Sequence, residues 1–455
     1  MEPAMDELPY DTEDLICALA TPWAPSALAV IRTTGPGCIE AFSRFFSRPQ
    51  ALLRAPGHTV VHGTVLGAGG QPLDDIVVTV FRAPASSTGQ DTVELSCHGS
   101  LPGLRLILDT LTSGGFRPAN PGEFTLRAFL NGKLDLTRAE AVQELVAART
   151  ARAQALALDR LSGSVAGRIT AIKAQVVDFM ALLNIQLDYA EDDVPSADVP
   201  FEILDSVREG LRALADSYKT GKLVQEGVRV ALAGRTNAGK SSLFNLFLKE
   251  DRSIVSDEHG TTRDWVEAWV SLGGVPLKLI DTAGLRDTDS AVEREGIRRS
   301  RELIDGCEVL LYLIDGTRGV EAEDAAFLAE HASDPRLIQV FTKADLVGSV
   351  PGDGVWVSST TGFGFAGLEA ALAARIPGSG EGGSGAVIDS LRQKQLLDRA
   401  VAALDLVRTG TEMGAPLDMV ALDVREALDA LGEITGEVTT ADVLTRMFSS
   451  FCVGK

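Results

Sequence analysis

The chain has 455 residues, enough for about three domains at ~150 residues each. Its net charge of −21 excludes diffuse nucleic-acid binding and leaves room only for a confined basic contact, or one shared with a partner. No apolar run approaches the ~18 residues of a membrane span, so no membrane partner is expected. Five cysteines (17, 38, 97, 307, 452) lie scattered without a CxxC pair. That usage suits a reducing cytosol and excludes a disulfide framework or a zinc site. The acidic start "MEPAMDELPYDTEDL" is unlike a signal peptide, which adds to the expectation of a cytoplasmic protein.

Residues 1–120 read as short strands with turns, among them "ALAVIRTTGPG" (27–37), "HTVVHGTVL" (58–66) and "DIVVTVFRAP" (75–84), a mixed α+β beginning. From about 137 to 190, apolar residues recur at helical spacing in long Ala- and Leu-rich stretches. The acidic, proline-bearing "YAEDDVPSADVP" (189–200) interrupts them. Residues 228–376 alternate apolar strands ("VRVALAG", "PLKLIDTAG", "CEVLLYLID", "PRLIQVFTKAD", "GVWVSS") with helical stretches, the pattern of a parallel α/β sheet. "PGSGEGGSG" (377–385) reads as a flexible connector, and helices return over 386–448. The expected division is an N-terminal domain (1–120), a helical domain in two parts (121–226 and 379–455) and an inserted parallel α/β domain (227–378). Insertion is tolerated because the ends of an open α/β domain often lie close together.

"GRTNAGKSSLFN" (234–245) follows a strand and opens a helix, the context of a phosphate-binding loop. Amide groups at the helix start would face phosphate, Lys240 would reach the β- and γ-phosphates, and the Ser241 hydroxyl would ligate Mg²⁺. "GTTRD" (260–264) stands where a switch segment belongs, with Thr262 as a second magnesium ligand. "DTAG" (281–284) ends a strand, so Asp281 can hold the magnesium shell and the Gly284 N–H can sense a γ-phosphate. "TKAD" (342–345) places Asp345 to accept two hydrogen bonds from guanine, and "SST" (358–360) can donate from its backbone to the base oxygen. The nucleotide set is therefore Asn237, Ala238, Gly239, Lys240, Ser241 and Ser242 in the loop, and Ser256, Asp257, Glu258, His259, Gly260, Thr261 and Thr262 in the switch segment. Asp281, Thr282, Ala283 and Gly284 follow, then Thr342, Lys343, Ala344 and Asp345, and finally Ser358, Ser359 and Thr360. Four motifs at strand ends, with the switch segment between the first two, indicate a GTPase, so the inserted domain reads as a Ras-like P-loop G domain.

Two departures matter. The base motif begins with Thr342 instead of the usual asparagine. Leu285 occupies the position where Ras-like enzymes carry a water-orienting glutamine, and an apolar side chain cannot do that work. Transition-state charge also needs a cation, and no arginine finger can be identified from the sequence; a bound monovalent cation beside the phosphates could substitute electrostatically. Asn237 is either its ligand or a tie between loop and switch.

The GTPase motifs alone leave ribosome-assembly factors open. The flanking segments "TPWAPSALAVIRTTGP" (21–36), "ELSCHGS" (94–100), "PGEFTLRAFLNGKLDLTRAEAV" (121–142) and "ALGEITGEVTTADVLTRMFSSFCVGK" (430–455) resemble the tRNA-modifying GTPase family MnmE, also called TrmE. The resemblance runs in order along essentially the whole chain. It implies an N-terminal folate-binding domain and a homodimer whose G domains meet across the nucleotide when K⁺ is bound. It also implies a flavoprotein partner, MnmG (GidA), in a heterotetramer or larger complex. The implied activity adds a carboxymethylaminomethyl or aminomethyl group to the wobble uridine of certain tRNAs, using 5-formyl- or methylene-tetrahydrofolate.

By the same resemblance, K⁺ would be held by Asn237, Ser256, Glu258 and Thr261, and Mg²⁺ by Ser241 and Thr262. Glu293 in "AVEREG" matches the acid that positions the attacking water, although a solvated helix carboxylate is equally consistent with the residue alone. Arg32, Glu94, Lys133 and Lys455 match the folate positions, where cations suit a glutamate tail and a carboxylate suits the pterin edge. "TPWAPSA" replaces the family's glycine-rich stretch after "TPP". His98 is either a catalytic histidine or a structural turn residue. Cys452 is a candidate nucleophile or positioning group, in a tail with too little apolar content for packing and expected to act by reach.

Overall fold

The computed structural model describes residues 11–188, 201–249, 266–281, 302–351, 354–376 and 385–454. Two compact units emerge, one formed by 1–143, 161–207 and 399–455, the other by 144–160 and 208–398.

In the first unit, strands β1 (Ile16–Leu19), β2 (Ser26–Thr34), β3 (Thr59–Leu66), β4 (Pro72–Phe81), β5 (Thr92–Gly99) and the short β6 (Arg117–Pro118) form one sheet in the order β3-β4-β5-β2-β1-β6. All pairs are antiparallel except β1 with β6. Period-two alternation decides the faces. Ile76, Val78 and Val80 of β4 and Val93, Leu95 and Cys97 of β5 point into the core, so the intervening residues lie on the other face. Helix Leu101–Ser113 covers the core side with Leu104, Ile107 and Leu111, one helical stripe.

Buried charge ties this sheet to helix Glu123–Leu130. Arg127 is 1% exposed and Glu123 is fully buried. Arg127 Nη2 donates to Asp14 Oδ1 at 2.5 Å and to Glu123 Oε1 at 2.8 Å, while Arg117 bridges the same two carboxylates. Burial raises the Asp14 pKa, but the hydrogen bonds and charges of Arg117 and Arg127 outweigh it and leave the carboxyl below its ordinary value. A third helix joins this corner. Ala441–Phe448 starts at Thr440, whose hydroxyl caps the Val443 N–H at 3.4 Å. Its Leu444 and Phe448, with Phe451 beyond it, pack on Leu126 and Leu136.

The second unit holds strands β7 (Val228–Gly234), β8 (Val266–Leu272), β9 (Val275–Asp281), β10 (Val309–Asp315), β11 (Leu337–Thr342) and β12 (Val355–Trp356), in the order β12-β11-β10-β7-β9-β8. Every pair is parallel except the hairpin β8–β9. Residues of β7 and β10 are buried on both faces, which is why "VRVALAG" and "VLLYLID" read as continuous apolar runs. From β7 the chain runs to β9 on one side and later to β10 on the other. The strand order therefore reverses at β7, and a crevice opens at its carboxyl end. Among the described residues no helix is long and apolar enough to cross a membrane.

Candidate functional site

The crevice at the end of β7 is a cleft of about 950 Å³ lined by residues 233–242 together with Asp315 and Lys343. The loop's shape depends on backbone that most residues avoid. Gly234 has φ of 138°, and a Cβ there would lie 2.4 Å from Leu313 O. Gly239 adopts φ of 90° and Asn237 φ of 63°, the left-handed region that asparagine tolerates better than most. Helix Lys240–Lys249 then begins at once. Its first amides lack intrahelical acceptors and carry the positive end of the helix dipole toward the cleft.

Lys240 is 7% exposed, and its Nζ donates to Gly234 O and Arg235 O, both at 2.7 Å. The ammonium is thus stationed over the loop it would share with a phosphate. Ser241 Oγ donates to Asp281 Oδ2 at 3.3 Å. A hydroxyl beside a buried carboxylate is a hard-oxygen pair of the type Mg²⁺ prefers, so these residues fit that ion. Ser242 follows on the exposed side of the helix start.

The base motif closes the cleft's other end. Lys343 takes φ of 58° and pairs through Nζ with Asp315 Oδ2 at 2.6 Å. Burial raises the Asp315 pKa, but its hydrogen bonds from Lys343 and Thr317 prevail and lower it overall. Asp345 is exposed at the start of the 3-10 turn Ala344–Leu346. Ser358 is fully buried, and its hydroxyl accepts the Thr360 and Thr361 N–H groups at 3.3 and 3.2 Å. That fixes the 358–360 loop containing Ser359. Thr342 Oγ1 lies 2.8 Å from Ala238 O and 3.1 Å from Ile314 O, binding the phosphate loop to β10 and β11.

Ser256, Asp257, Glu258, His259, Gly260, Thr261, Thr262, Thr282, Ala283, Gly284, Leu285, Glu293 and Lys455 lie outside the described residues. Sequence reading passed over Asp315 and Arg235. Arg235 pairs with Glu321 and with Glu323 Oε2, the latter at 3.0 Å. The available signal for Asp315 was its place at the carboxyl end of an apolar strand, where other site residues also sit.

In the first unit, Arg32 and Glu94 stand directly opposite on β2 and β5, with Arg32 Nε 2.7 Å from Glu94 Oε1. Arg32 Nη1 donates to Gly454 O at 3.1 Å, and its guanidinium lies 5.6 Å from the Phe124 ring centroid. The C-terminal tail is therefore docked, contrary to an expectation of reach alone. Gly122 N–H donates to Cys452 O at 3.3 Å. Gly454 is buried at φ of 94°, where a Cβ would meet Leu19 O at 2.6 Å. Main-chain contact and glycine's close approach replace the apolar content the tail lacks.

Cys452 is the exposed cysteine; the other four are buried, and burial pushes the Cys38 thiol up to about 12. Lys133 has a different setting, donating from Nζ to Pro84 O at 2.9 Å. His98 lies within strand β5 and not in a turn, and its Nδ1 sits 2.7 Å from Asp74 Oδ1. The hydrogen bond and charge of Asp74 raise its pKa.

The chain matches the family model "GTP-binding protein TrmE N-terminus" over residues 15–133 and "MnmE helical domain" over residues 136–452. It is 43% identical over 461 residues to the "tRNA modification GTPase MnmE" of Borrelia recurrentis, covering 98% of this chain and 99% of that protein. The protein of the same name from Treponema denticola is 40% identical over 470 residues, with the same 98% and 99% coverage. A solved structure, the G domain of the T. maritima FeoB iron transporter, is 26% identical with a TM-score of 0.25, covering 32% of this chain and 98% of that one. A phosphate loop, a guanine-type base motif and whole-length identity of this order place the chain in the MnmE (TrmE) family of tRNA modification GTPases.

Proposed function

We propose that this protein binds and hydrolyses GTP and, with a flavoprotein partner (MnmG/GidA), adds a carboxymethylaminomethyl or aminomethyl group to the wobble uridine of certain tRNAs. The observation that carries the nucleotide reading is Lys240, held at 2.7 Å over the carbonyls of its own loop beside the Ser241–Asp281 pair. Loop amides and the helix dipole bind the phosphates, and Lys240 exchanges its carbonyl partners for phosphate oxygens. Asp345 accepts from the guanine edge, and the 358–360 loop donates to the base oxygen. Mg²⁺, held by Ser241 with Asp281 behind it, supplies charge neutralisation on the phosphates when bound.

Two further assignments follow family membership. In a homodimer stimulated by K⁺, Asn237 would help to hold the ion, which would supply the positive charge for which the sequence offers no identifiable arginine finger. A tetrahydrofolate derivative fits the Arg32–Glu94 pair, which joins a partly exposed guanidinium and carboxylate under the tail that carries Cys452. These side chains orient the one-carbon donor, and Cys452 lies on the same tail as Gly454, which Arg32 holds.

The test combines purified full-length protein, the flavoprotein and tRNA, with wobble nucleosides analysed by mass spectrometry. Modification is expected with wild type and lost in Lys240→Ala. Normal modification by that hydrolysis-dead variant would reduce the GTPase to an accessory scaffold. Hydrolysis is also expected to run markedly faster in potassium than in sodium at equal ionic strength, and Asn237→Ala should remove most of the difference. Equal turnover in both salts would overturn the cation role.

A further inference from the structure

Guanine presents three kinds of edge to a protein: donors at N1 and the exocyclic amine, an acceptor at O6 and another acceptor at N7. In the proposed site Asp345 answers the donors and backbone near residues 358–360 answers O6. Reading N7 requires a donor from elsewhere, and Thr342 is the side chain that opens the base motif.

The structure shows what Thr342 does with its one donor. The residue is 2% exposed. Its hydroxyl lies 2.8 Å from Ala238 O in the phosphate loop and 3.1 Å from Ile314 O at the end of β10. Both neighbours are carbonyl oxygens, which only accept, so they already compete for the single hydroxyl proton. A third acceptor could be served only by taking that proton away from both carbonyls. The neighbouring Lys343 ammonium is likewise held, by Asp315 at 2.6 Å. An asparagine at this position would differ in kind, since its amide carries two protons on a longer arm.

We propose that Thr342 is a specificity-determining residue whose hydroxyl is committed to the phosphate loop, so that Thr342 does not read guanine N7. The inference rests on the guanine-nucleotide reading above. It makes the site tolerant of purines altered at position 7 while selection against adenine, which Asp345 performs, stays intact.

The experiment compares GTP with 7-deaza-GTP, in which N7 is replaced by a C–H, by calorimetric titration of the full-length protein with Mg²⁺. Wild type is expected to bind the two within about twofold, less than the factor a typical hydrogen bond confers. Thr342→Asn is expected to favour GTP by roughly five- to tenfold, the scale of one regained hydrogen bond. Thr342→Val is expected to weaken both nucleotides alike, because it loosens the loop without touching N7. A wild-type preference for GTP above about fivefold, again one hydrogen bond's worth, would overturn the proposal while leaving GTP binding standing. An unchanged ratio in a folded Thr342→Asn would overturn the assignment to this residue. Failure of wild type to bind either nucleotide would bring down the guanine-nucleotide reading and this proposal with it.

Discussion

The two sheets place their polar chemistry in opposite ways. In the first unit the sheet is almost wholly antiparallel and has an open face, so alternation leaves whole rows of side chains free to pair across strands. Arg32 and Glu94 meet there because register sets them opposite. In the second unit both faces of the central strands are buried. Polar groups then concentrate where strands end: Lys240 and Ser241 beyond β7, Asp281 closing β9, Asp315 closing β10, and Thr342 with Lys343 at the end of β11. A parallel sheet thus makes a site at the carboxyl ends of its strands, served by helix starts and loop backbone. An antiparallel one makes a site on its face, served by cross-strand pairs.

The sharpest way to break this contrast is at the strand end. Lys240→Ala should lower GTP hydrolysis at least ~10²–10³-fold, the usual scale for losing one electrostatic contact to a transition state. The Arg32–Glu94 face should be unaffected, as read from chemical shifts of the first unit. Residual turnover within tenfold of wild type would remove Lys240 from the chemistry.

Next in size is the buried charge of the first unit. Arg127→Ala leaves Glu123 fully buried with Arg117 as its remaining cationic partner, and should cost about 3–5 kcal/mol in urea unfolding. It should also change the acid response. The Asp14 carboxyl is held below 3.8 in the fold, burial opposing and the two arginines prevailing. Its contribution is therefore present above that ordinary value and is lost as pH falls through the lower folded value. Without Arg127 the acid transition should move to higher pH, and an unmoved midpoint would contradict the assignment.

A smaller effect tests the base end. Asp345→Asn should shift preference from GTP toward xanthosine triphosphate by ~10-fold or more, since an amide donates where xanthine offers an oxygen. Competition titration with both nucleotides is the check, and unchanged GTP affinity would reassign the residue.

The smallest effect on hydrolysis is expected from the tail. Deleting residues 452–455 should leave GTP turnover within about twofold, because Cys452 and Gly454 hydrogen-bond to Gly122 and Arg32 of the first unit. Wobble-uridine modification in a complemented strain should nonetheless be lost. Gly454→Ala should reproduce part of that loss, its Cβ colliding with Leu19 O at 2.6 Å. Normal modification by the truncated protein would show the docked tail to be dispensable.

Much of this was legible in the linear chain. "GRTNAGKSSLFN" follows an apolar run and precedes an amphipathic one, and the strand, loop and helix appear at 228–249 as those periods require. Strands over 26–34, 59–66 and 72–81 follow their alternation. The strand Val266–Leu272 was not anticipated. It owes its place to hairpin pairing with β9 across Gly273 and Gly274, both at positive φ, and short strands take their state from such pairing more than from local composition.

What the sequence by itself determined is local: which stretches are helix or strand, where backbone must turn left-handed, and which motifs stand at strand ends. These depend on side chains a few residues apart and on steric limits of single residues. Tertiary structure alone decided the pairings. Arg32 meets Glu94 across 62 positions and Gly454 across 422, and Arg127 is buried with two carboxylates. Thr342 spends its proton on Ala238, 104 positions away. Such partners are set by sheet register and by which buried donors must find acceptors once water is excluded, and no periodicity along the chain encodes that accounting.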